Sequence, residues 1–220
     1  MAGGTDGNII SFDASGNPVA ISTGNDGQVL TSAGAGAQPA FEDAAGGGAW
    51  TLINSTVASS SADVTITGLS STYGTYALAI TDLVPSSGGE NLYARFGTSS
   101  GIDTASSVYG TTGRRVEYTT AWGGGYSYTS SLQDQMQVSQ TSLSDSGTAH
   151  ALWYLSGIGI ADNPPGIRGW TRIFIPSSDH YLFTFFASRT TAITADRIKI
   201  YMSSGNIASG RITVWGIKHT

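Results

Sequence analysis

The chain has 220 residues, of which 40% are hydrophobic and only 11% are charged, and it contains no cysteine. Without cysteine, the protein has no disulfide, no thiolate nucleophile and no cysteine-bound zinc. Ten Lys and Arg residues against fifteen Asp and Glu residues give a net charge of −5, which excludes the dense basic surface that nonspecific nucleic-acid binding requires. The 30 glycines, together with abundant Ser, Thr and Tyr, favour strands and turns over helices.

Two kinds of targeting segment are not evident in the sequence. No apolar run approaches the roughly 18–20 residues of a membrane-spanning helix, so we expect no membrane insertion. The first ten residues, MAGGTDGNII, lack the basic and apolar regions of a secretory signal peptide. We therefore expect synthesis in the cytoplasm and, for a protein that acts outside the cell, release by another route such as lysis.

Residues 1–41 predict short strands separated by glycine-containing turns. Two related pieces, GNIISFDASGNPVAIS and GQVLTSAGAGAQPAFED, each place an apolar stretch, a turn and a second apolar stretch in order. Hairpins this short are marginal in water because they cannot bury their own apolar side chains. The alternative to intermolecular burial is packing against the larger domain of the same chain. We expect partner chains or a docking surface to cover Ile9, Ile10, Phe12, Val29, Leu30 and Phe41.

Residues 42–49, EDAAGGGA, predict a flexible glycine-rich linker, and residues 50–220 carry a continuous series of strand and turn signals. Strands recur roughly every 10–20 residues with turn chemistry between them, which is typical of a sandwich or barrel. The predicted fold class is all-β: an antiparallel β-sandwich, jelly-roll-like, preceded by a short extended N-terminal anchoring segment. Residues 131–147 are predicted to be strand or loop.

Alternation with a period of two predicts which side chains of the large domain face the core. It is cleanest at residues 197–201 and 211–217, where polar residues separate the apolar ones. The predicted core residues are Trp50, Leu52, Val64, Ile66, Leu78, Ile80, Leu92, Phe96, Leu152, Tyr154, Ile173, Ile175, Leu182, Ile198, Ile200, Ile212, Val214 and Ile217.

The N-terminal segment carries a recognisable pattern in Gly24, the run Gly27-Gln28-Val29-Leu30-Thr31, Pro39 and the aromatic Phe41. This pattern resembles a segment found in fibre and tail proteins of tailed bacteriophages, in which Trp is more usual at the position of Phe41. The large domain shows a second pattern, with Trp50-Thr51-Leu52-Ile53 near its start, Leu83-Val84-Pro85, and Trp215-Gly216-Ile217 at its end. It is similar to the β-sandwich domain that often follows such segments in these proteins.

The two resemblances imply a structural protein on the surface of a phage virion, made in the host cytoplasm. Such proteins are usually homotrimers that contact other virion proteins of the capsid, neck or tail. Because this chain has no extended shaft before the sandwich, a short trimeric fibre or spike, or a head-decoration subunit, fits better than a long tail fibre. The resemblances imply no ligand, no cofactor and no catalytic residue.

Residues that could support catalysis are scattered along the sequence. His150, His180 and His219 lie far apart and show no metal-ligand spacing, and the Gly-x-Ser-x-Gly motif is absent. The run GIGIADNPPG at 157–166 lacks the third glycine of a dinucleotide-binding loop, and its two prolines oppose a following helix. A polysaccharide depolymerase would need paired carboxylates in a groove, which no spacing indicates. We therefore predict no enzymatic activity, no metal site and no cofactor.

One aromatic-rich stretch is a candidate binding site for carbohydrate. Exposed aromatic rings stack on sugar faces, and arginine side chains donate hydrogen bonds to hydroxyls or carboxylates. The alternative is that these aromatics fill the rim of the core or a subunit interface. The stretch supports a second functional hypothesis, an adhesin module that attaches the particle to a glycan on the host surface. The candidate glycan-binding residues are Arg114, Arg115, Tyr118, Trp122, Tyr126 and Tyr128.

Overall fold

A computed structural model describes residues 6–43, 49–118, 122–176 and 180–218, with the backbone alone at 122–124. Throughout these ranges the regular secondary structure consists of strands, and every strand pairing is antiparallel. The all-β fold class is therefore confirmed. The chain divides into two units, Met1–Gly48 and Ala49–Thr220, called here the N-terminal unit and the β domain. The described residues form no helix that is long and apolar enough to cross a membrane.

The N-terminal unit contains two hairpins of four-residue strands. Strand β1 (Ile9–Phe12) pairs with β2 (Pro18–Ile21), and β3 (Gln28–Thr31) pairs with β4 (Ala40–Asp43). In the first turn, the Asp13 carboxylate accepts hydrogen bonds from the N–H groups of Ser15 and Asn17 at 2.9 and 2.8 Å, and Gly16 supplies a positive φ of 80°. Strand β4 continues to Asp43, so its last two residues fall within the linker predicted at 42–49.

Thirteen strands can be assigned in the described part of the β domain. They are β5 (Trp50–Ser61), β6 (Asp63–Ile66), β7 (Thr75–Pro85), β8 (Leu92–Thr98), β9 (Gly101–Ile102), β10 (Tyr109–Tyr118), β11 (Trp122–Thr129), β12 (Met136–Gln137), β13 (Thr148–Ser156), β14 (Gly166–Phe174), β15 (His180–Arg189), β16 (Arg197–Met202) and β17 (Ile207–Ile217). The segment 131–147, predicted as strand or loop, contains the two-residue strand β12 and isolated β-bridges at Gln133 and Leu143, and is otherwise loop and turn.

These strands form two sheets. The larger has eight strands in the order β11-β10-β15-β14-β13-β7-β17-β5, and the smaller has the order β12-β8-β16-β6, with β9 paired to β8. Buried side chains from both sheets belong to one hydrophobic core. Its largest fully buried members include Trp153, Tyr76, Tyr109, Phe96 and Phe183. Trp153 also satisfies its indole N–H, which donates to Thr171 Oγ1 at 3.1 Å.

Most of the predicted core residues are buried, but seven of them are not. The predicted residues that are buried are Val64, Ile66, Leu78, Ile80, Leu92, Phe96, Ile173, Ile198, Ile200, Ile212 and Val214. Trp50, Leu52 and Leu182 are exposed, while Leu152, Tyr154, Ile175 and Ile217 are only half-buried. In β13 the inward positions are instead Ala151, Trp153 and Leu155, because the apolar run ALWYL fits either phase of the alternation. Trp50 and Leu52 lie on β5, the outermost strand of the larger sheet.

Candidate functional site

The six predicted glycan-binding residues lie on the β10–β11 hairpin at one edge of the larger sheet. In this hairpin Arg115 is opposite Tyr126, Gly113 is opposite Tyr128, and Arg114 is opposite Ser127. Residues directly opposite each other in an antiparallel pair share a face, and successive residues alternate between faces. Arg115, Tyr126 and Tyr128 therefore share one face, and Arg114 lies on the other.

Tyr118 shares the face of Arg114, because the two residues stand four apart on β10 and pair in regular register with β15. Its ring lies edge-on to His180, with centroids 6.2 Å apart. Trp122 is opposite Tyr118 in the hairpin, and its side chain lies outside the described residues. The structure thus brings Arg115, Tyr126 and Tyr128 together, and it separates them from Arg114 and Tyr118 by the thickness of the sheet.

Arg115 is engaged within the protein. Its guanidinium lies 4.9 Å from the ring centroid of Tyr126 and 5.5 Å from that of Tyr181. Nη1 donates a hydrogen bond of 3.0 Å to Thr141 Oγ1, and Nη2 lies 3.6 Å from the Glu117 carboxylate. The hydrogen bond to Thr141 joins the 131–147 segment to the larger sheet, which is a structural role for this arginine.

Tyr128 lines an open cleft with a volume of about 340 Å³. Two tyrosines, three glutamines and three hydroxyl residues line it, and none of the lining side chains is charged. Strand pairing explains how they meet: Gln137 of β12 lies opposite Tyr93 of β8, and β11 supplies Tyr128. The lining residues are Tyr93, Tyr128, Thr129, Ser130, Ser131, Gln133, Gln135 and Gln137. This set is called the glutamine cleft below.

Hydrogen bonds fix the side chains of the glutamine cleft. Tyr128 Oη donates to Gln137 Oε1 at 2.8 Å, and Tyr201 Oη donates to Gln135 Oε1 at 2.5 Å. Burial raises the pKa of Tyr128, and it raises the pKa of Tyr201 to about 12. Both phenols therefore remain protonated donors at neutral pH. The rings of Tyr93 and Tyr201 lie 6.0 Å apart and 34° from parallel, so Tyr201 packs beside Tyr93 without lining the cleft itself.

A second depression of about 230 Å³ adjoins the glutamine cleft and shares Gln133 and Gln135 with it. Charged side chains of opposite sign, Arg95 and Asp134, line this depression. The Arg95 guanidinium lies 5.9 Å from the Tyr201 ring centroid and donates to Gln135 Oε1 at 3.5 Å. A neutral compartment is thus joined to one in which a cation and an anion face the same space.

The histidines and carboxylates of the described residues form no metal-binding cluster. No group of three or more His, Asp or Glu residues suited to a metal ion occurs there. His150 Nε2 lies 3.6 Å from Asp82, whereas His180 lies beside Phe174, with ring centroids 4.9 Å apart. The third predicted candidate, His219, lies outside the described residues.

The six predicted docking residues lie on three of the four strands of the N-terminal unit, β1, β3 and β4. Phe12 and Ile10 are 65% and 59% exposed, and Ile9, Val29 and Leu30 are exposed as well. Phe41 is half-buried and lies so close to Gly24 that a Cβ there would be 2.6 Å from the Phe41 Cβ. Gly24 therefore leaves room for the aromatic ring, which packs over the turn before β3.

Of the residues that line the glutamine cleft, only Tyr128 belongs to the predicted glycan-binding set. The missed residues carried one local signal: Gln133, Gln135 and Gln137 alternate with a period of two, which directs long amide side chains to one side of an extended segment.

The chain matches no protein-family model, no curated protein and no solved structure.

Proposed function

We propose that the chain is a structural subunit of a tailed-phage virion, a short homotrimeric fibre, spike or head-decoration protein that projects its β domain from the particle. The observation that carries this proposal is the N-terminal unit, whose two hairpins expose Ile10, Phe12 and Leu30. Two-stranded hairpins with an uncovered apolar face are marginal in water, so burial against sister chains supplies what the unit lacks by itself. The resemblance of this segment to phage fibre and tail proteins supports the same role.

For the β domain we propose the jelly-roll-like β-sandwich that the sequence predicts. The supporting observation is that the eight-stranded and five-stranded sheets contribute side chains to one hydrophobic core. Stacked antiparallel sheets with a shared core are the defining arrangement of a sandwich. A rigid domain of this kind suits a part that projects from a particle.

The solution mass of the full chain, measured by light scattering, tests the trimer. The expected value is three times the 22.7 kDa of one chain. A variant with Ile10→Ser, Phe12→Ser and Leu30→Ser is expected to fall to the mass of one chain, because it removes the apolar surface that sister chains cover. The matched control is Val57→Ser with Ile160→Ser, two exposed apolar residues of the β domain, and it is expected to remain trimeric.

A wild-type chain that is monomeric at micromolar concentration would overturn the homotrimer. Equal loss of trimer in the control would move the interface away from the N-terminal unit. The virion assignment is tested separately, by mass spectrometry of purified particles whose genome encodes the chain. We expect the protein in the particle fraction after density-gradient purification, and its absence there would contradict a structural role.

A further inference from the structure

We propose that the glutamine cleft is a binding site for an uncharged saccharide. This goes beyond the structural role, and it shares only Tyr128 with the glycan-binding residues predicted from the sequence. Tyr93 of β8, Tyr128 of β11 and Gln135 beside β12 come from three separate parts of the chain and converge on one space of about 340 Å³. That volume lies at the lower end of the roughly 300–1,000 Å³ of small-molecule sites, which suits one or two sugar rings.

The chemistry of the lining matches that of sugar hydroxyls. Each glutamine amide offers two donor hydrogens and two acceptor lone pairs, and each Ser or Thr hydroxyl donates and accepts. Gln137 uses Oε1 to accept from Tyr128 and Nε2 to reach Asn91 Oδ1 at 3.4 Å, which leaves one amide hydrogen and one lone pair. A polyhydroxylated ligand can use such mixed capacity, whereas a purely apolar ligand would leave it unsatisfied.

The cleft is organised before any ligand arrives. The hydrogen bonds from Tyr128 to Gln137 and from Tyr201 to Gln135 restrict the rotamers of both amides. The position of Tyr93 is fixed by strand pairing, since it lies directly opposite Tyr201 of β16. Fixing long side chains in advance removes part of the entropy cost of binding.

The absence of charge among the lining residues of the cleft selects against acidic ligands. The lining of the cleft offers no cation to an anionic sugar, and the neighbouring depression is lined by Asp134 as well as by Arg95. A carboxylate placed there would face an anion as well as a cation. The ligand class that fits the cleft is therefore neutral, with an aromatic ring to stack on and amides to satisfy its hydroxyls.

Saturation-transfer NMR on the full chain tests the site with a panel of glucose, galactose, mannose, N-acetylglucosamine, glucuronic acid and N-acetylneuraminic acid. We expect signal transfer to at least one of the four neutral sugars and to neither acid. Tyr93→Ala and Gln133→Ala are each expected to raise the dissociation constant of that sugar at least tenfold. The control is Tyr118→Ala, which removes a tyrosine that is 60% exposed. Tyr118 lies on the opposite face of the larger sheet from Tyr128, so this change is expected to leave the dissociation constant unaltered.

Unfolding midpoints of all three variants separate lost binding from lost structure, and the exposed Gln133 side chain makes Gln133→Ala the milder change. No transfer to any sugar of the panel would overturn the proposal. So would transfer to the acids alone, or an equal loss of affinity in Tyr118→Ala. Light-scattering mass is independent of all these readouts, so failure of the saccharide site and failure of the trimer are distinguishable.

Discussion

Arg189 Nε donates a hydrogen bond of 2.7 Å to Asp103 Oδ2 and thereby joins the end of β15 to the segment between β9 and β10. The two side chains are only 10% and 13% exposed. Tyr109 Oη donates to the same carboxylate oxygen at 2.9 Å, and the Ala105 N–H donates to Oδ1 at 3.0 Å. Burial opposes ionisation of Asp103, but these donors and the guanidinium charge outweigh it, so the pKa of this carboxyl lies below its usual range.

Asp103→Asn is expected to lower the free energy of unfolding on the order of 3 kcal/mol, because it leaves the Arg189 charge largely buried without its counter-ion. Urea denaturation followed by tryptophan fluorescence measures the loss. The control is Asp63→Asn, which breaks the more exposed pair between Asp63 and Lys199 at 3.0 Å. Its expected cost is at most about 1 kcal/mol. Equal losses in the two variants would contradict a special role for the buried pair.

Glu90 predicts a specific response to acid. Hydrogen bonds from Ser203 Oγ at 2.5 Å and from Ser204 Oγ and N at 2.8 and 2.6 Å lower the pKa of this carboxyl, against the opposing effect of burial. The unfolded chain takes up the proton at higher pH than the folded chain. The stability that the carboxylate contributes is therefore complete above its ordinary pKa of 4.5 and is lost as the pH falls through the lower folded value.

Glu90→Gln removes this carboxylate and is expected to be less stable than wild type at pH 7. Its stability is also expected to decline less between about pH 5 and pH 3. Denaturant midpoints recorded across that range for both proteins provide the test. Parallel pH profiles would show that another carboxyl causes the acid sensitivity.

The register of β13 gives a direct comparison between neighbouring residues. Trp153 is fully buried and lies with its ring edge-on to Phe185, at 6.0 Å between centroids, whereas Leu152 is only half-buried. Trp153→Ala is expected to cost about 3–5 kcal/mol of unfolding free energy. Leu152→Ala is expected to cost about 1 kcal/mol or less. Circular dichroism with urea measures both, and the reverse order would mean that the strand is shifted by one residue.

The buried face of a strand was predicted correctly where only one phase of the apolar–polar alternation places the apolar residues together. In β16, the charged residues Arg197 and Lys199 alternate with Ile198 and Ile200, so only one phase places the isoleucines in the core, and both are buried. In β13 every residue from 151 to 155 is apolar or aromatic, so sequence alternation cannot choose between two faces, and tertiary packing of Trp153 decides. A period of two identifies a strand, but it assigns a face only where polar residues interrupt it.

The candidate site was harder to predict for a topological reason. Tyr93 and Gln135 are 42 positions apart in the sequence and meet because β12 pairs with β8 in the smaller sheet. Strand order within a sheet depends on long-range packing, which local patterns do not encode. The aromatic-rich stretch around Arg114 and Tyr126 is evident in the sequence, but strand alternation places successive residues on opposite faces, so a cluster in sequence is divided in space.

Charge distribution makes the proposed trimer sensitive to salt. Residues 1–48 contain five acidic residues and no basic one, whereas residues 49–220 contain ten of each. The whole net charge of −5 therefore falls in the N-terminal unit. Three such units brought together repel one another, and salt screens that repulsion. The trimer is expected to dissociate at a lower protein concentration in 0.5 M than in 0.02 M sodium chloride by roughly tenfold, measured by analytical ultracentrifugation. Stronger assembly at low salt would contradict contact among these acidic units.

Gly169 marks a position in β14 where the larger sheet has no space for a side chain. It lies opposite Trp153 on one side and Phe185 on the other. A Cβ at this position would be 2.2 Å from the Leu152 carbonyl oxygen and 2.8 Å from the Trp153 Cα, so the backbone must shift. Gly169→Ala is expected to lower the free energy of unfolding by about 1–3 kcal/mol, as overpacking does.

Gly110→Ala on β10 is the control, since its added Cβ would meet nothing closer than 3.8 Å. Because alanine gives the unfolded chain less conformational entropy than glycine, Gly110→Ala is expected to be neutral or to stabilise the protein by about 0.4–1 kcal/mol. Urea midpoints that move in the same direction for the two variants would show that β14 can open to admit a methyl group, and the close packing around Trp153 would then not limit the sequence at this position.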